Sequence, residues 1–287
     1  MQWLDAAIQG VLLGGLYAQY ALGMSLMFGV MRIVNTAHGD LLILLSFAAI
    51  VIATYLGIGP YATMFVLVPL AAVGGYALQR LVLNRAVGSD PLPSLIATFG
   101  LSITIQNALL AGFTADARSL PGNGLESASL SIGPLFVGLL PVQIFCAALL
   151  LTGAIHLLLR RTRFGRALRA AAADADAASM IGVNPRHVYA GATALAVGVL
   201  GVAAVFHALR VTVSPADGPG QLIYAFEAVI IGGMGSLWGG FLGALLLGVA
   251  QVVGGRIDAG WGSLAGHLVF LAVLAVRPQG LFGGGSR

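Results

Sequence analysis

Residues 135–159 read LFVGLLPVQIFCAALLLTGAIHLLL, and residues 160–169 continue RRTRFGRALR. The first stretch has no Asp, Glu, Lys or Arg and is long enough for a helix to cross a bilayer core, which takes about 20 apolar residues. The second is dense in arginine, so positive charge gathers where the apolar run stops. That is the pattern of a spanning helix whose following loop is held on the cytoplasmic side.

The same pattern repeats outward from this stretch. Apolar runs lie at 7–29, 41–57, 61–79, 94–113 and 188–209, with two less regular ones at 222–252 and 263–276. Hydrophobic residues make up 59% of the 287 and charged residues 8%, against roughly 25% charged in a soluble domain. A soluble fold could not cover its surface with so few charges. The runs are apolar all round and rich in Leu, Ala and Gly, whereas strands of a membrane barrel would alternate polar and apolar residues. The expectation is therefore an all-α, polytopic transmembrane helical bundle of about eight to nine membrane segments, forming a single domain over 1–287. The 41 glycines suit close helix packing in lipid.

Arginine placement orients the chain. The segment 160–187 is cytoplasmic by its charge, which puts Arg80 and Arg85 inside and the loop 114–134, with Asp116, Arg118 and Glu126, outside. The start, with Asp5 and no Lys or Arg before the first run, then falls outside, and that run is expected to remain as a span. The stretch 222–252 crosses either once or as two short helices; the tail Arg277-Pro278-Gln279-Gly280 lies outside in the first case and inside in the second. The net charge of +4 belongs to these loops, so a nucleic-acid partner is not expected.

Two apolar stretches carry Gly-containing breaks, Met27 to Asp40 and Ile230 to Gly240. Interrupted helices in two halves of a transporter mark its pathway, because the freed backbone groups need a cavity, water or substrate; surface turns are the alternative. At the first break Arg32, Asn35, His38 and Asp40 form the densest polar group beside an apolar run, and Gly39 between them is a further pathway candidate. They either handle a zwitterion or gate the pathway, or Arg32 and Asp40 sit at head-group level while Asn35 caps the next helix. At the second break the candidates are Gly232, Gly233, Gly235 and Ser236.

Catalysis is not expected. Gly233-Met234-Gly235-Ser236 lacks the glycine that a nucleophile elbow needs two places after the serine, where Trp238 stands. His156, His187, His207 and His267 are scattered, so no metal site is read. Cys146, the single cysteine, has no internal partner. The chain has no lysine, and a Walker phosphate loop cannot be built without one. Any ATP is hydrolysed by another subunit, and no cofactor is expected here.

The segment Asp176-Ala177-Ala178-Ser179-Met180-Ile181-Gly182 resembles the Glu-Ala-Ala, three residues, Gly loop of ABC importer permeases, with Asp in place of Glu. Phe164 to Ala170 before it, Ile181-Gly182-Val183-Asn184-Pro185 after it, both breaks and the closing Arg277 to Gly283 are similar to the branched-chain amino-acid ABC transporter permease family, H-type membrane subunit. The resemblance implies a permease in the bacterial inner membrane that moves branched-chain amino acids or similar small polar solutes such as amides and urea. It further implies a second related permease subunit, as a heterodimer or a homodimer, two cytoplasmic ATPase subunits carrying ATP-Mg, and a periplasmic or surface solute-binding protein. The coupling residues it implies are Arg166, Arg169, Asp176, Ala177, Ala178, Gly182 and Pro185. Thr36 stands where the family commonly has Phe, and Leu45-Ser46-Phe47 where it often has Gly-Ala-Tyr. A passive channel for a small neutral solute is the alternative of a different class.

Overall fold

A computed structural model describes residues 2–88, 92–122, 124–125, 128–132 and 135–282. Glu126 and Gly283, read above as an outer-loop charge and as part of the closing motif, lie outside the described residues. The helices in chain order are α1 (Gln2–Met31), α2 (His38–Leu56), α3 (Pro60–Leu81), α4 (Leu92–Phe113), α5 (Leu139–Arg161), α6 (Arg163–Ala173), α7 (Ala175–Met180), α8 (Pro185–Arg210), α9 (Gly218–Gly232), α10 (Leu237–Ile257) and α11 (Trp261–Val276). Seven of them are long and apolar enough to cross a membrane, and α11 is a shorter apolar helix. The all-α polytopic bundle expected from composition is the fold.

The run 135–159 is not helical from its start. Ser129–Ile132 and Leu135–Gly138 form a small antiparallel hairpin, β1 and β2, and α5 begins at Leu139. Gly138 is extended, and Pro141 fits the first turn, where a missing N–H removes no helical bond. The hairpin lies in the loop assigned to the outer side.

Helices α1 and α8 form the centre, buried over most of their length, while α3, α4 and α5 expose broad apolar faces. Such faces need no water-soluble cover, because lipid or another membrane subunit meets them. Antiparallel packing of α1 on α10 relies on small residues: a Cβ at Gly14 would stand 2.6 Å from the Leu245 Cα, and one at Gly10 2.5 Å from the Val249 Cα. With no hydrophobic effect between helices in lipid, this close approach supplies the packing energy. One ion pair, Arg256 to Asp5 at 2.9 Å, joins the outer ends of the two helices. Both partners are solvent-accessible, so Arg256→Gln is expected to change stability by less than about 1 kcal/mol, read as a near-unchanged melting temperature in detergent.

The stretch 222–252 lies within two helices, α9 and α10, joined at 233–236. The chain end returns to that turn, where Leu281 N–H donates to the Ile231 carbonyl (2.8 Å) and Phe282 N–H to the Gly232 carbonyl (3.1 Å). Gly235 packs on Gly29 near the end of α1. The tail therefore lies on the side where α1 ends, which the arginine pattern makes cytoplasmic.

Candidate functional site

Both breaks exist, and they differ in kind. After α1 ends at Met31 the chain turns back on itself. Arg32 takes a left-handed φ of 54°, and 32–37 runs back along α1. His38 Nε2 donates to the Tyr20 carbonyl at 2.9 Å, and the ring abuts Gly23. From Gly23 to Met31 is about 12 Å of helix, so α2 starts beside the middle of α1. The second break, 233–236, is a tight turn. Gly233 and Gly235 have φ of 101° and 86°, open to glycine without strain, and the Ser236 hydroxyl accepts from Gly239 N–H at 3.0 Å to cap α10.

By position in the fold, the counterpart of 32–37 is 211–217. Ser46 on α2 bonds the Ala204 carbonyl of α8 at 3.2 Å. Arg210, which ends α8, is about 9 Å further along, whereas Asp40 is about 9 Å back from Ser46. Yet Gly218, the first residue of α9, lies against Gly39 and Asp40: a Cβ on Gly39 would fall on the Gly218 carbonyl oxygen, and one on Gly218 on the Asp40 carboxylate. The chain from 211 to 217 thus doubles back roughly 18 Å. α2 and α9 start at the same depth and leave in opposite directions, nose to nose. The turn 233–236 corresponds to the short α2–α3 connection at 57–59.

Two helix N-termini brought together concentrate positive partial charge. The anion that answers it is Asp40, buried, its Oδ2 accepting from the Ser102 hydroxyl (2.5 Å) and its Oδ1 from the Gln106 amide (2.9 Å). Ser102 and Gln106 belong to α4, which is also held by Thr98 through the Thr36 N–H (3.2 Å) and hydroxyl (2.9 Å). Thr36, a departure from the family pattern, therefore forms a polar tie to α4. Asp40→Ala leaves a buried hydroxyl, a part-buried amide and two helix ends unanswered; a loss of about 2–4 kcal/mol is expected, against a smaller loss for Asp40→Asn, measured by thermal unfolding of the purified protein.

The structure separates the remaining polar residues of this group. Arg32 is exposed at the end of α1 and forms no ion pair with Asp40. Asn35 is buried; its Oδ1 accepts from Ala37 N–H at 3.0 Å, closing the turn before α2 rather than capping the helix itself. His38 Nδ1 is buried with no partner among the described residues.

At the cytoplasmic face, each expected coupling residue lies on or beside a capped element. Thr162 caps α6 by accepting from Gly165 N–H (3.0 Å). Asp174 caps α7 through Asp176 and Ala177 N–H (both 2.9 Å). Asn184 caps α8 through His187 N–H (3.2 Å), with Pro185 in the first turn. Gly182 has φ 86°, the turn that aims α8 into the bundle. Leu168 and Ala171 of α6 are buried with Met27, Val30, Val188 and Ala192, and Arg169 donates to the Leu159 carbonyl. Arg166, Asp176 and Ala177 are exposed and Ala178 is buried; Met180 and Ile181 are 82% and 76% exposed.

Cavities open at this face. One of about 800 Å³ is lined by Asp176, Gly182, Pro185, Asn84 and Tyr189. Another, about 600 Å³, joins Arg169 to Gly235, Ser236, Trp238 and Ser25. It brings one member of the coupling set to the α9–α10 turn. The described residues hold no cluster of three or more His, Cys, Asp or Glu able to bind a metal ion.

Glu227 is a residue the breaks do not point to. It is 4% exposed on α9, and its Oε1 meets His267 Nδ1 at 2.5 Å. Its sequence signal is an acid standing by itself within the apolar stretch 222–252.

Comparisons with known proteins match nearly the whole length of the chain. The family model described as branched-chain amino acid transport system / permease component matches residues 6–276. The high-affinity branched-chain amino acid transport system permease protein BraD of Pseudomonas aeruginosa is 28% identical, over 98% of this chain and 96% of that protein. The corresponding permease LivH of Escherichia coli is 27% identical, over 99% and 96%. A probable branched-chain amino acid transport permease of Methanocaldococcus jannaschii is 25% identical, over 95% and 90%. Among solved structures, PsaBC from Streptococcus pneumoniae in complex with Fab is a loose likeness, at 14% identity and a TM-score of 0.49 over 94% of this chain and 91% of that one.

Proposed function

The chain belongs to the family of branched-chain amino acid transport system permease components, and on that premise we propose that it forms part of the solute pathway of an importer driven by separate ATPase subunits. As a member of that family it is a multi-pass inner-membrane permease subunit and not an enzyme. The proposed cargo is branched-chain amino acids, with similar small polar solutes, amides and urea among them, as further candidates. Proposed partners are a second permease subunit, two ATPases that bind ATP-Mg, and a solute-binding protein on the outer side.

The observation that carries this reading is the α6–α7 arm. Its inner face is packed into α1 and α8, and its tip presents two large apolar side chains, Met180 and Ile181, to water. Exposed apolar pairs at the end of a capped, rigid helix fit a groove on another protein. A push on the arm reaches α8, which is bonded to α2 at Ser46, and the cavity beside Arg169 reaches the α9–α10 turn. Both helices that meet at Gly39 and Gly218 are thus mechanically downstream of the arm. Their opposed starts allow one to tilt against the other, and the free energy that biases the tilt comes from nucleotide, because a solute cannot drive its own accumulation.

Affinity purification of the chain from its native membrane, followed by leucine uptake in proteoliposomes, tests the proposal. Co-purifying nucleotide-binding subunits and ATP-dependent uptake are expected. A lone oligomer that conducts a neutral solute without ATP would be a channel instead.

A further inference from the structure

A further cavity at the cytoplasmic face, of about 640 Å³, is lined among the described residues by Arg80, Leu81, Asn84, Arg85, Val87 and Arg186. Half of these are arginine and none is acidic. The ion pairs among the described residues are Arg256 with Asp5 and His267 with Glu227, so no carboxylate answers the three guanidinium groups. The rule that gathers arginine on the cytoplasmic side accounts for their being on this face. It does not account for three of them, from three separate elements, sharing one concavity.

Local structure fixes where each one stands. Arg80 lies in the last turn of α3, where the carbonyl end of a helix favours a cation. Arg85 ends a short 3-10 turn, Leu83–Arg85, anchored by the fully buried Leu83. Arg186 lies in the first turn of α8, where the helix dipole is positive and disfavours a cation. A chain of hydrogen bonds ties the three elements together. The Thr193 hydroxyl donates to Gln79 Oε1 (2.7 Å), Gln79 Nε2 to Asn84 Oδ1 (3.1 Å), and Asn84 Nδ2 to the Arg186 carbonyl (3.2 Å). The cationic concavity is thus held in place by the fold, and at Arg186 against the local field. An anion there answers both the guanidinium groups and the start of α8.

The outer face of α3 distinguishes which anion. Leu81, 65% exposed, lines the cavity and also ends an exposed apolar stripe with Leu70 and Val73, positions that share one face of the helix. From Leu70 to Leu81 the stripe is roughly 16 Å long, about one leaflet of a hydrocarbon core about 30 Å thick. A soluble anion would use the arginines alone, and so would an acidic protein surface. A lipid with a phosphate headgroup uses both the arginines and the stripe, and basic pockets between spans on the cytoplasmic side suit such headgroups.

We propose that Arg80, Arg85 and Arg186 bind the phosphate headgroup of an anionic phospholipid of the inner leaflet, with an acyl chain along Leu81, Val73 and Leu70. The cavity shares Asn84, Val87 and Arg186 with the cavity of about 800 Å³ beside Asp176, so the bound lipid borders the coupling arm.

The complex, purified from its membrane and exchanged into detergent micelles containing phosphatidylglycerol or phosphatidylcholine, tests this by native mass spectrometry of the lipid it retains. Wild type is expected to retain phosphatidylglycerol in preference. Arg85→Gln combined with Arg186→Gln is expected to lose at least about tenfold in phosphatidylglycerol affinity, since each arginine near a lipid surface contributes roughly fivefold. Arg161→Gln combined with Arg163→Gln removes the same charge from exposed positions at the α5–α6 junction and is expected to leave binding largely unchanged. Equal loss in both pairs overturns the site, because the attraction is then spread over the whole face. So does a wild type that does not distinguish the two lipids. Displacement of phosphatidylglycerol by inorganic phosphate at equal concentration would make this a site for a soluble anion and overturn the lipid. A variant that sheds its ATPase subunits yet keeps phosphatidylglycerol would turn the arginines toward a protein partner, which also overturns it. Should the double variant not fold, Arg85→Gln alone decides, with an expected loss of about fivefold.

Discussion

Gly39→Val is expected to abolish accumulation of the folded protein in the membrane. At this position a Cβ meets the Gly218 carbonyl oxygen and comes within 2.8 Å of the Leu222 nitrogen. Both are backbone atoms in the first turn of α9, and neither can swing aside as a side chain would. Overpacking in a core usually costs about 1–3 kcal/mol when neighbours can shift; here two helix ends must part, and the loss is expected to exceed that range. Separation of α2 from α9 also pulls Asp40 from the N-termini it answers. Even Gly39→Ala should be severe. Fluorescence-detected size exclusion of a tagged protein reads the outcome, and a monodisperse Gly39→Val with normal uptake would show that α2 and α9 do not meet here.

Met180→Asp combined with Ile181→Asp is expected to eliminate ATP-driven uptake while leaving the permease folded. Both side chains point away from the bundle, so the substitution removes no internal packing. Burying each against a partner contributes about 1.5–3 kcal/mol, and placing a carboxylate in an apolar groove adds a desolvation cost. A combined loss of roughly 3 kcal/mol or more weakens association by over about a hundredfold. The check is twofold: ATPase subunits fail to co-purify, and the melting temperature of the permease stays within a few degrees of wild type. Retention of the ATPases would place the docking surface elsewhere on the chain.

These two substitutions differ in how far the sequence leads to them. The coupling tip is legible because Asp176 to Gly182 is a local pattern, held by caps at Thr162, Asp174 and Asn184 that use neighbours two or three residues away. The first break is legible as a polar group beside an apolar run. What Asp40 does there is not, because its partners Ser102 and Gln106 are far along the chain and nothing in the spacing of residues 32–40 names them. The likeness of the two Gly-containing breaks is of the same kind: 233–236 shares composition with the first break, but the segment that shares its geometry is 211–217, VTVSPAD, which contains no glycine.

Membrane residence, the positions of the long spans and the cytoplasmic placement of the arginine-rich arm were determined by sequence, because each depends on local hydropathy matched to bilayer thickness and on charge next to a span. Tertiary structure decided that α2 and α9 begin at one depth and face each other across Gly39 and Gly218. It also decided that Tyr17 of α1 bonds Gln251 of α10 while Tyr20, one turn on, bonds His207 of α8. Those contacts join helices distant in the chain, and only packing, where glycine lets backbones touch and buried donors must find acceptors, selects them.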